Sequence, residues 1–472
     1  MTNVLAFDFG ASSGRVLLGS FENGRISYKE VHRFENIPIR DGNRLVWDYF
    51  AILEEIKNTV ARYPYADALA FDTWGVDYGL IGQQDSLVSL PTNYRDERTT
   101  NVPDKLFEKI SPQYLYKATG NQIMAINTLF QLLTEEGNRL DADSMLFMPD
   151  LFAWSLCGNR TVERTIASTS QMINPTTGDW NREITALTPF GYDFFPEIVD
   201  SATVCGTYKG IPVIKVAGHD TQCAVAAMPC DQEAEAAFLS CGTWSLIGCE
   251  LDAPILTEKS MADELSNEIG ANGKINYLKN ISGLWLIQEI RRNFRREGKE
   301  YSYNDMEQLA RREPAYTCFI DPDAPDFAIS GDICGRIRDF CARTGQTVPA
   351  TDGALVRCIY ESLSMKYRYA IRQIQENTNK QFTVLHLLGG GTKDTFLCQM
   401  TADVLEFPVI AGPTEATALG NIMLQLIALE KIPDVATARE IIRKTEKVTV
   451  YYPNAVDALQ EKYAVFCNVI QK

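Results

Sequence analysis

Short apolar runs separated by turns of glycine and small polar residues recur along the chain. Residues 3–9 (NVLAFDF) form the first run and predict a strand. The turn Gly10-Ala11-Ser12-Ser13-Gly14 follows, and residues 16–18 predict the returning strand of a hairpin. The same strand, small-residue turn and strand recur about half a chain later, at residues 236–239, Ser240-Cys241-Gly242-Thr243 and residues 244–247. Each hairpin is followed, much further on, by another strand with a polar or glycine-rich end. In the first half residues 68–71 lead into Asp72-Thr73-Trp74-Gly75. In the second half residues 384–388 lead into Gly389-Gly390-Gly391-Thr392.

Amphipathic helix patterns fill the intervals. Phe396, Leu397, Met400, Val404 and Leu405 share one helical face, and Leu419, Ile422, Met423 and Leu426 do the same after Thr414-Glu415. Strands mixed with helices in two similar halves predict an α/β fold of two domains facing a cleft. The boundary is expected at the polar break of residues 229–233. A length of 472 residues suits two domains better than one. With 45% apolar and 22% charged residues the chain can bury a core, which excludes a disordered protein. Its net charge of −16 repels phosphate backbones, so no nucleic-acid partner is expected, although a local pocket for a small anion is compatible with it. Residues 1–10 lack a basic flank, and Asp8 interrupts their apolar run, unlike a secretion signal. No run approaches the length of a bilayer span, so a cytoplasmic protein without a membrane partner is expected. The 12 cysteines form no CxxC pair, and there are 3 histidines (His32, His219, His386). This argues against zinc and for reduced, mostly buried thiols.

Four motifs offer chemistry. In Asp8-Phe9-Gly10-Ala11-Ser12-Ser13-Gly14-Arg15 the small residues let backbone N–H groups approach an anion, and the serine hydroxyls add donors. Arg15 complements phosphate charge there, and Asp8, at the strand end, suits a cation accompanying a nucleotide. The motif is neither a Walker A loop nor GxGxxG, and a hairpin turn with a capping aspartate is its plain alternative. Ser240-Cys241-Gly242-Thr243-Trp244-Ser245 repeats the logic, and two opposed hairpins can grip a polyphosphate. Gly389-Gly390-Gly391-Thr392-Lys393-Asp394 either leaves backbone open to a flat ring or is a flexible turn into a helix. Gly218-His219-Asp220-Thr221 follows a strand at residues 211–216 and precedes an Ala-rich helix. Asp220 there is a helix cap or a general base facing the cleft.

Taken in order, DFGASSGR, DTWGVDYGL, GHDT, SCGTW and GGGTKD resemble the FGGY carbohydrate kinases, built on the duplicated actin/sugar-kinase/Hsp70 (ASKHA) core, over essentially the whole chain. Further segments narrow the resemblance to the branch that acts on L-rhamnulose. They are Ala11-Ser12-Ser13-Gly14-Arg15, Asp72-Thr73-Trp74-Gly75-Val76-Asp77, and Tyr94-Arg95-Asp96 with Arg98-Thr99. Lys279-Asn280-Ile281 with Gly283-Leu284-Trp285 and Gly412-Pro413-Thr414-Glu415-Ala416-Thr417 complete the set. Many FGGY kinases carry threonine where Ala11 stands, which agrees with this branch and removes one hydroxyl from the loop.

The resemblance implies two actin-like, ribonuclease H-like domains flanking a catalytic cleft. Residues 1–230 would be the N-terminal FGGY domain, with the sugar and the first phosphate loop, and 231–472 the C-terminal, nucleotide-binding domain. It implies ATP and Mg²⁺ as cofactors and phosphorylation of L-rhamnulose at the 1-hydroxyl. Asp220 then takes the part of the catalytic base, because a sugar hydroxyl must lose its proton as its oxygen attacks phosphorus. By the same resemblance Gly75, His219, Asp220, Thr221 and Asn280 contact the sugar. Ala11, Ser12, Ser13, Gly14, Arg15, Thr243, Gln288 and Gly390 contact ATP, and Asp8 orients Mg²⁺ through water. Asn280, Leu284 and Gln288 recur at i, i+4 and i+8 and are expected on one face of a helix. Trp74 offers an apolar face to the sugar's C6 methyl or packs in the core. Arg95, Arg98 and Lys393 supply local positive charge or stay solvated. Other functions share the frame: a kinase for another deoxy-ketose such as L-fuculose, a non-catalytic nucleotide-dependent binding protein of the actin or Hsp70 kind, and a silent sugar sensor.

Overall fold

The computed structural model describes residues 1–230 and 235–470. In chain order its principal strands are β1 (Thr2–Phe9), β2 (Ser13–Glu22), β3 (Arg25–Glu35), β4 (Ala68–Thr73), β5 (Thr203–Tyr208) and β6 (Ile211–Lys215). They continue with β7 (Ala236–Cys241), β8 (Trp244–Leu251), β9 (Ser266–Ile269), β10 (Ile275–Ser282), β11 (Val384–Leu388), β12 (Val409–Ala411) and β13 (Thr449–Tyr451). Four helices bear on the site: α1 (Asp220–Ala226), α2 (Trp285–Arg296), α3 (Thr395–Leu405) and α4 (Ala416–Ala428).

The chain folds into two compact units. The first comprises Met1–Gln232, Glu250–Leu278 and Glu415–Glu446, and the second Glu233–Cys249, Lys279–Thr414 and Lys447–Lys472. The boundary read at residues 229–233 falls largely on residues 231–234, outside the described residues.

In the first unit the sheet order is β5-β6-β4-β1-β2-β3. β1 pairs antiparallel with β2 and parallel with β4, and β4 pairs parallel with β6. β4 is buried along its whole length, and β1 from Val4 onward, as expected of parallel strands covered on both faces. In the second unit β8-β7-β11-β12-β13 follow the same succession. β7 is antiparallel to β8 and parallel to β11, β11 is parallel to β12, and β12 is antiparallel to β13. The duplication read from the hairpins is therefore a duplication of strand order, in which β7 and β11 stand where β1 and β4 stand in the first unit.

Small residues on the strands let helices pack close. Val4, Ala6, Ala68, Ala70 and Ile214 meet Ala226, Leu419, Ile422, Met423 and Leu426 in one buried cluster of the first unit. Where α4 crosses α1, a Cβ added to Gly420 would lie 1.9 Å from the carbonyl oxygen of Cys223. Backbone cannot yield there as a side chain can, so Gly420→Ala is expected to cost about 3 kcal/mol. Urea unfolding at fixed pH checks this, and an unchanged midpoint would mean the two helices have room to separate.

One expected element is different. Asn280 lies on strand β10, not on a helix, Leu284 is the cap of α2, and only Gln288 is inside the helix. β-branched and aromatic side chains at Ile275, Tyr277 and Ile281, together with pairing to β9, outweigh the four-residue spacing.

Candidate active site

In the first unit three parallel strands bring their C-terminal ends to one place, where open α/β sheets bind ligands. Asp8 near the end of β1 sits in register with Asp72 on β4. Arg15, opposite Asp8 on β2, donates Nε and Nη2 to Asp8 Oδ2 at 2.9 and 2.7 Å, and its Nη1 pairs with Glu415 just ahead of α4. The guanidinium expected to meet phosphate is thus shared between two carboxylates. Asp72 is fully buried; Asn421 Nδ2 donates to its Oδ2 at 2.7 Å, and its Oδ1 has no hydrogen-bond partner among the described residues. Burial, and after it the charge of Asp8, push the pKa of Asp72 well above the usual carboxylate range, which favours the neutral acid. The Gly10–Ser12 turn is tied down by Asn36, whose N–H donates to Ser12 O at 3.2 Å and whose Nδ2 donates to Gly10 O at 3.0 Å. Ser12 is exposed, Ala11, Ser13 and Arg15 are half-buried, and Gly14 is buried.

Beyond β6 the chain turns through Gly218 and His219 into α1, whose first residue is Asp220. Gly218 N donates to Glu163 Oε2 at 2.9 Å, and Gly218 O accepts from Thr73 N at 2.8 Å, which locks the turn to the end of β4. Position before the helix belongs to His219, so Asp220 is not the cap. Its Oδ1 accepts from Thr221 N at 2.6 Å and from Thr221 Oγ1 at 3.3 Å. His219 and Thr221 are buried, whereas the Asp220 side chain keeps 31% of its surface exposed, an opening a base needs if it is to meet a substrate. Burial raises the pKa of Asp220, His219 and Thr221 draw it down, and Asp8 adds to the rise; the net shift is upward, toward a better proton acceptor than a free aspartate.

Sequence reasoning did not find Glu268 on β9 or Glu163. Glu268 Oε2 lies 3.1 Å from His219 Nδ1, and both side chains are buried. Neither glutamate belongs to a motif, and their only sequence signal is a carboxylate inside a short strand.

Gly75 is half-exposed in the turn after β4, where Val76 adopts φ 67°, a strained value for a β-branched residue. Val76 N donates to Thr169 Oγ1 at 3.1 Å, and Val76 O accepts from Thr128 Oγ1 at 2.7 Å, so neighbours hold the strain in place. Trp74 packs in the core: it is 5% exposed, its ring centroid is 4.1 Å from that of Trp47, and its Nε1 donates to Asp77 Oδ2 at 2.9 Å. The fully buried Asp77 also accepts from Trp47 Nε1 at 2.7 Å, Tyr94 N at 3.1 Å and Gln131 Nε2 at 3.0 Å. Burial pushes its pKa up to about 6 against the pull of these donors. Arg98 is engaged by Glu135, Thr92 and Gln131 at 2.7, 2.8 and 2.8 Å, and Arg95 lies over the Tyr94 ring.

In the second unit Thr243 is half-buried in the turn joining β7 and β8. Its carbonyl accepts from Gly283 N at 3.2 Å and Trp285 N at 3.1 Å, which fixes the turn to the start of α2. Gln288 on α2 and Asn280 near the end of β10 are also half-buried. After β11, Gly391 is buried, and a Cβ there would lie 2.3 Å from Cys241 Sγ. Gly390 is exposed, with open space where its Cβ would be. One glycine therefore serves packing and the other keeps backbone open, as a planar ligand requires. Thr392 Oγ1 meets Gly389 O at 2.8 Å and Thr414 Oγ1 at 2.7 Å, and Lys393 is exposed. Cys318, Cys341 and Cys358 gather their sulfurs within 4.8 Å of one another, all buried, a cluster the absence of CxxC pairs did not foretell.

Residues 3–238 match the N-terminal domain, and residues 237–429 the C-terminal domain, of the FGGY family of carbohydrate kinases. The chain is 37% identical to a rhamnulokinase of Bacteroides thetaiotaomicron, over 99% of each chain. It is 35% identical to a rhamnulokinase of Enterococcus faecalis, over 98% of this chain and 97% of that one. Its fold is similar to that of a ligand-bound xylulose kinase from Lactobacillus acidophilus, with a TM-score of 0.82 and 15% identity, covering 100% of this chain and 98% of that one. Among the described residues no helix is long and apolar enough to cross a membrane.

Proposed function

We propose, from the premise that the chain belongs to the FGGY family of carbohydrate kinases, that it transfers the γ-phosphoryl group of ATP to the 1-hydroxyl of L-rhamnulose, giving L-rhamnulose 1-phosphate and ADP. The observation that carries the chemistry is Asp220. One oxygen of this carboxylate is engaged by Thr221, the side chain is open to a ligand, and its basicity is raised.

The sugar hydroxyl gives its proton to Asp220 Oδ2 as its oxygen attacks the γ-phosphorus. His219, Thr221, Gly75 and Asn280 hold the sugar. Ala11, Ser12, Ser13, Gly14, Arg15, Thr243, Gln288 and Gly390 take ATP, with the exposed backbone of Gly390 against the adenosine. The carboxylate oxygens of Asp8, Asp72 and Glu415 are of the kind Mg²⁺ takes, and Asp72 Oδ1 is buried without a partner among the described residues, although Arg15 is paired with Asp8 and Glu415 in this structure and would have to share them with the ion. Asp8 would hold the ion through water, with Asp72 and Glu415 beside it. Bound there, it would neutralise charge on the transferring phosphoryl group. An ATP-consuming sugar kinase of net charge −16 is assigned to the cytoplasm, without a nucleic-acid or membrane partner.

A panel of ketoses and polyols in an ADP-release assay tests this reading. L-rhamnulose is expected to stimulate release most. A lead for L-fuculose would move the assignment to another deoxy-ketose, and ATP turnover indifferent to every sugar would favour a nucleotide-driven binding protein. A site built to pair substrate hydroxyls separates such analogues by polar contacts more than by size.

A further inference from the structure

A carboxylate lies beside each ring nitrogen of His219, and a third, Glu163, is close enough for its charge to act on the ring. Its Nδ1 lies 3.1 Å from Glu268 Oε2 on β9, and its Nε2 lies 3.5 Å from Asp220 Oδ1 on α1. The third carboxylate, Glu163, is immobilised by five donors. Thr165 N, Thr165 Oγ1, Ile166 N and Gly218 N approach Oε2 at 2.8, 2.6, 3.1 and 2.9 Å, and Ser201 Oγ approaches Oε1 at 2.6 Å. Glu268 is held by fewer contacts. It faces Asn276 across the β9–β10 ladder, and Gln222 Nε2 donates to its Oε2 at 2.9 Å. Gln222 Oε1 in turn accepts from Asn276 Nδ2. Asn276, Gln222, Glu268, His219 and Asp220 thus form one continuous line of side chains ending at the open carboxylate.

We propose that Glu268 is a positioning residue for the transfer: its carboxylate, 3.1 Å from Nδ1 without a hydrogen bond there, pairs with the His219 ring as a counter-ion and so keeps Nε2 toward Asp220 Oδ1 and the sugar oxygen bound beside it. This rests on the reading of Asp220 as the base. A carboxylate on Nδ1 fixes ring orientation and favours the imidazolium. Burial alone lowers the basicity of His219, but Glu268 first, then Asp220 and Glu163, outweigh it and the net shift is upward. The separation of 3.5 Å is long for a bond to Asp220, which leaves the Nε2 proton to be shared with a substrate oxygen. All the hydrogen bonds to Asp220 among the described residues fall on Oδ1, so Oδ2 is the oxygen left for the incoming proton. The positive ring also counters Asp8, which otherwise raises the basicity of Asp220.

The signs follow directly. In Glu268→Gln the imidazolium loses its partner, so His219 gives up its proton at lower pH and the alkaline limb of kcat/KM moves down. At the pH of the acid limb the ring is still protonated in the variant, so that limb does not move up. The bell narrows from the alkaline side, by about one pH unit or more, as expected for removing an opposite charge at this range. Glu268→Asp keeps the charge; it is expected to lower kcat while leaving the limbs near their wild-type positions. A merely structural role would lower activity at every pH with both limbs unmoved, and that result overturns the proposal. A second readout needs no turnover. Only 3 histidines occur in the chain, so the ring signals can be resolved by NMR with His219→Gln as the blank. The His219 signal should titrate above the ordinary value of about 6.5 in the wild type and clearly lower in Glu268→Gln. Equal titration in the two overturns the proposal, whereas a wild type that titrates as expected but phosphorylates no sugar overturns the kinase reading instead.

Discussion

Asp220→Asn is expected to lower kcat by about 10³-fold while ATP binding persists. The asparagine has nearly the same shape, so Thr221 can still donate to its oxygen and the start of α1 stays formed. What disappears is the proton acceptor. The hydroxyl must then attack while still protonated or lose its proton to water, and general-base assistance of this kind contributes about 10²–10⁴-fold. Nucleotide affinity should survive because the residues assigned to ATP are elsewhere: on the β1–β2 turn, the β7–β8 turn, α2 and the glycine turn after β11. Equilibrium binding of ATP and steady-state turnover, measured on the same preparation, separate the two effects. Turnover near that of the wild type would remove Asp220 from the role of base, and a matching loss of ATP binding would make the variant a folding defect.

The second large effect is expected at Asp77, which is not among the residues assigned to sugar or ATP. Four donors converge on its carboxylate: the indoles of Trp47 and Trp74, the backbone of Tyr94 and the amide of Gln131. Asp77→Ala strips all four at once inside a fully buried region. At about 1 kcal/mol or more for each donor left unpaired, the cost is about 4 kcal/mol or more, a large share of the stability of an ordinary domain. Asp77→Asn should cost less, because its oxygen still serves the three donors on Oδ2. It still puts an NH₂ against the Gln131 amide, and the Gln131 oxygen cannot be swapped in freely because it accepts from Arg98. Urea midpoints should therefore fall in the order wild type, Asp77→Asn, Asp77→Ala. Equal midpoints for the two variants would mean that the indoles find water or other partners. Because Trp74 and Asp77 bracket the strained Gly75–Val76 turn, the sugar KM should rise in both variants.

Much of the frame could be read from sequence because it is local. A strand, a tight small-residue turn and a strand leave a mark within about twenty residues, and the pattern recurs at β1–β2 and β7–β8 with the same pairing. The Gly218–Thr221 turn, with a strand before and a helix after, could be read for the same reason. Asn280 shows where such reading fails. A four-residue spacing counts matches to a helix without weighing what the strand gains from pairing with β9. Long-range partners leave no mark at all. Arg15 meets Glu415 across 400 residues of chain, Asn421 reaches back to Asp72, and Glu268 lies 49 positions beyond His219 in the sequence yet beside it in the first unit. The return of residues 250–278 and 415–446 to the first unit is hidden for the same reason, since each segment has an ordinary composition. These returning segments bring in the groups that tune the site: one raises the basicity of the histidine, and the other holds Asp72 and Arg15.

The most direct measurement is the product itself. L-rhamnulose and ATP are incubated with the wild-type protein, and the phosphorus spectrum of the sugar product is assigned. The account predicts one sugar phosphate per ADP, esterified at the 1-hydroxyl, and none when the sugar is left out. Phosphate on another hydroxyl, or ADP formed without any sugar phosphate, would contradict it.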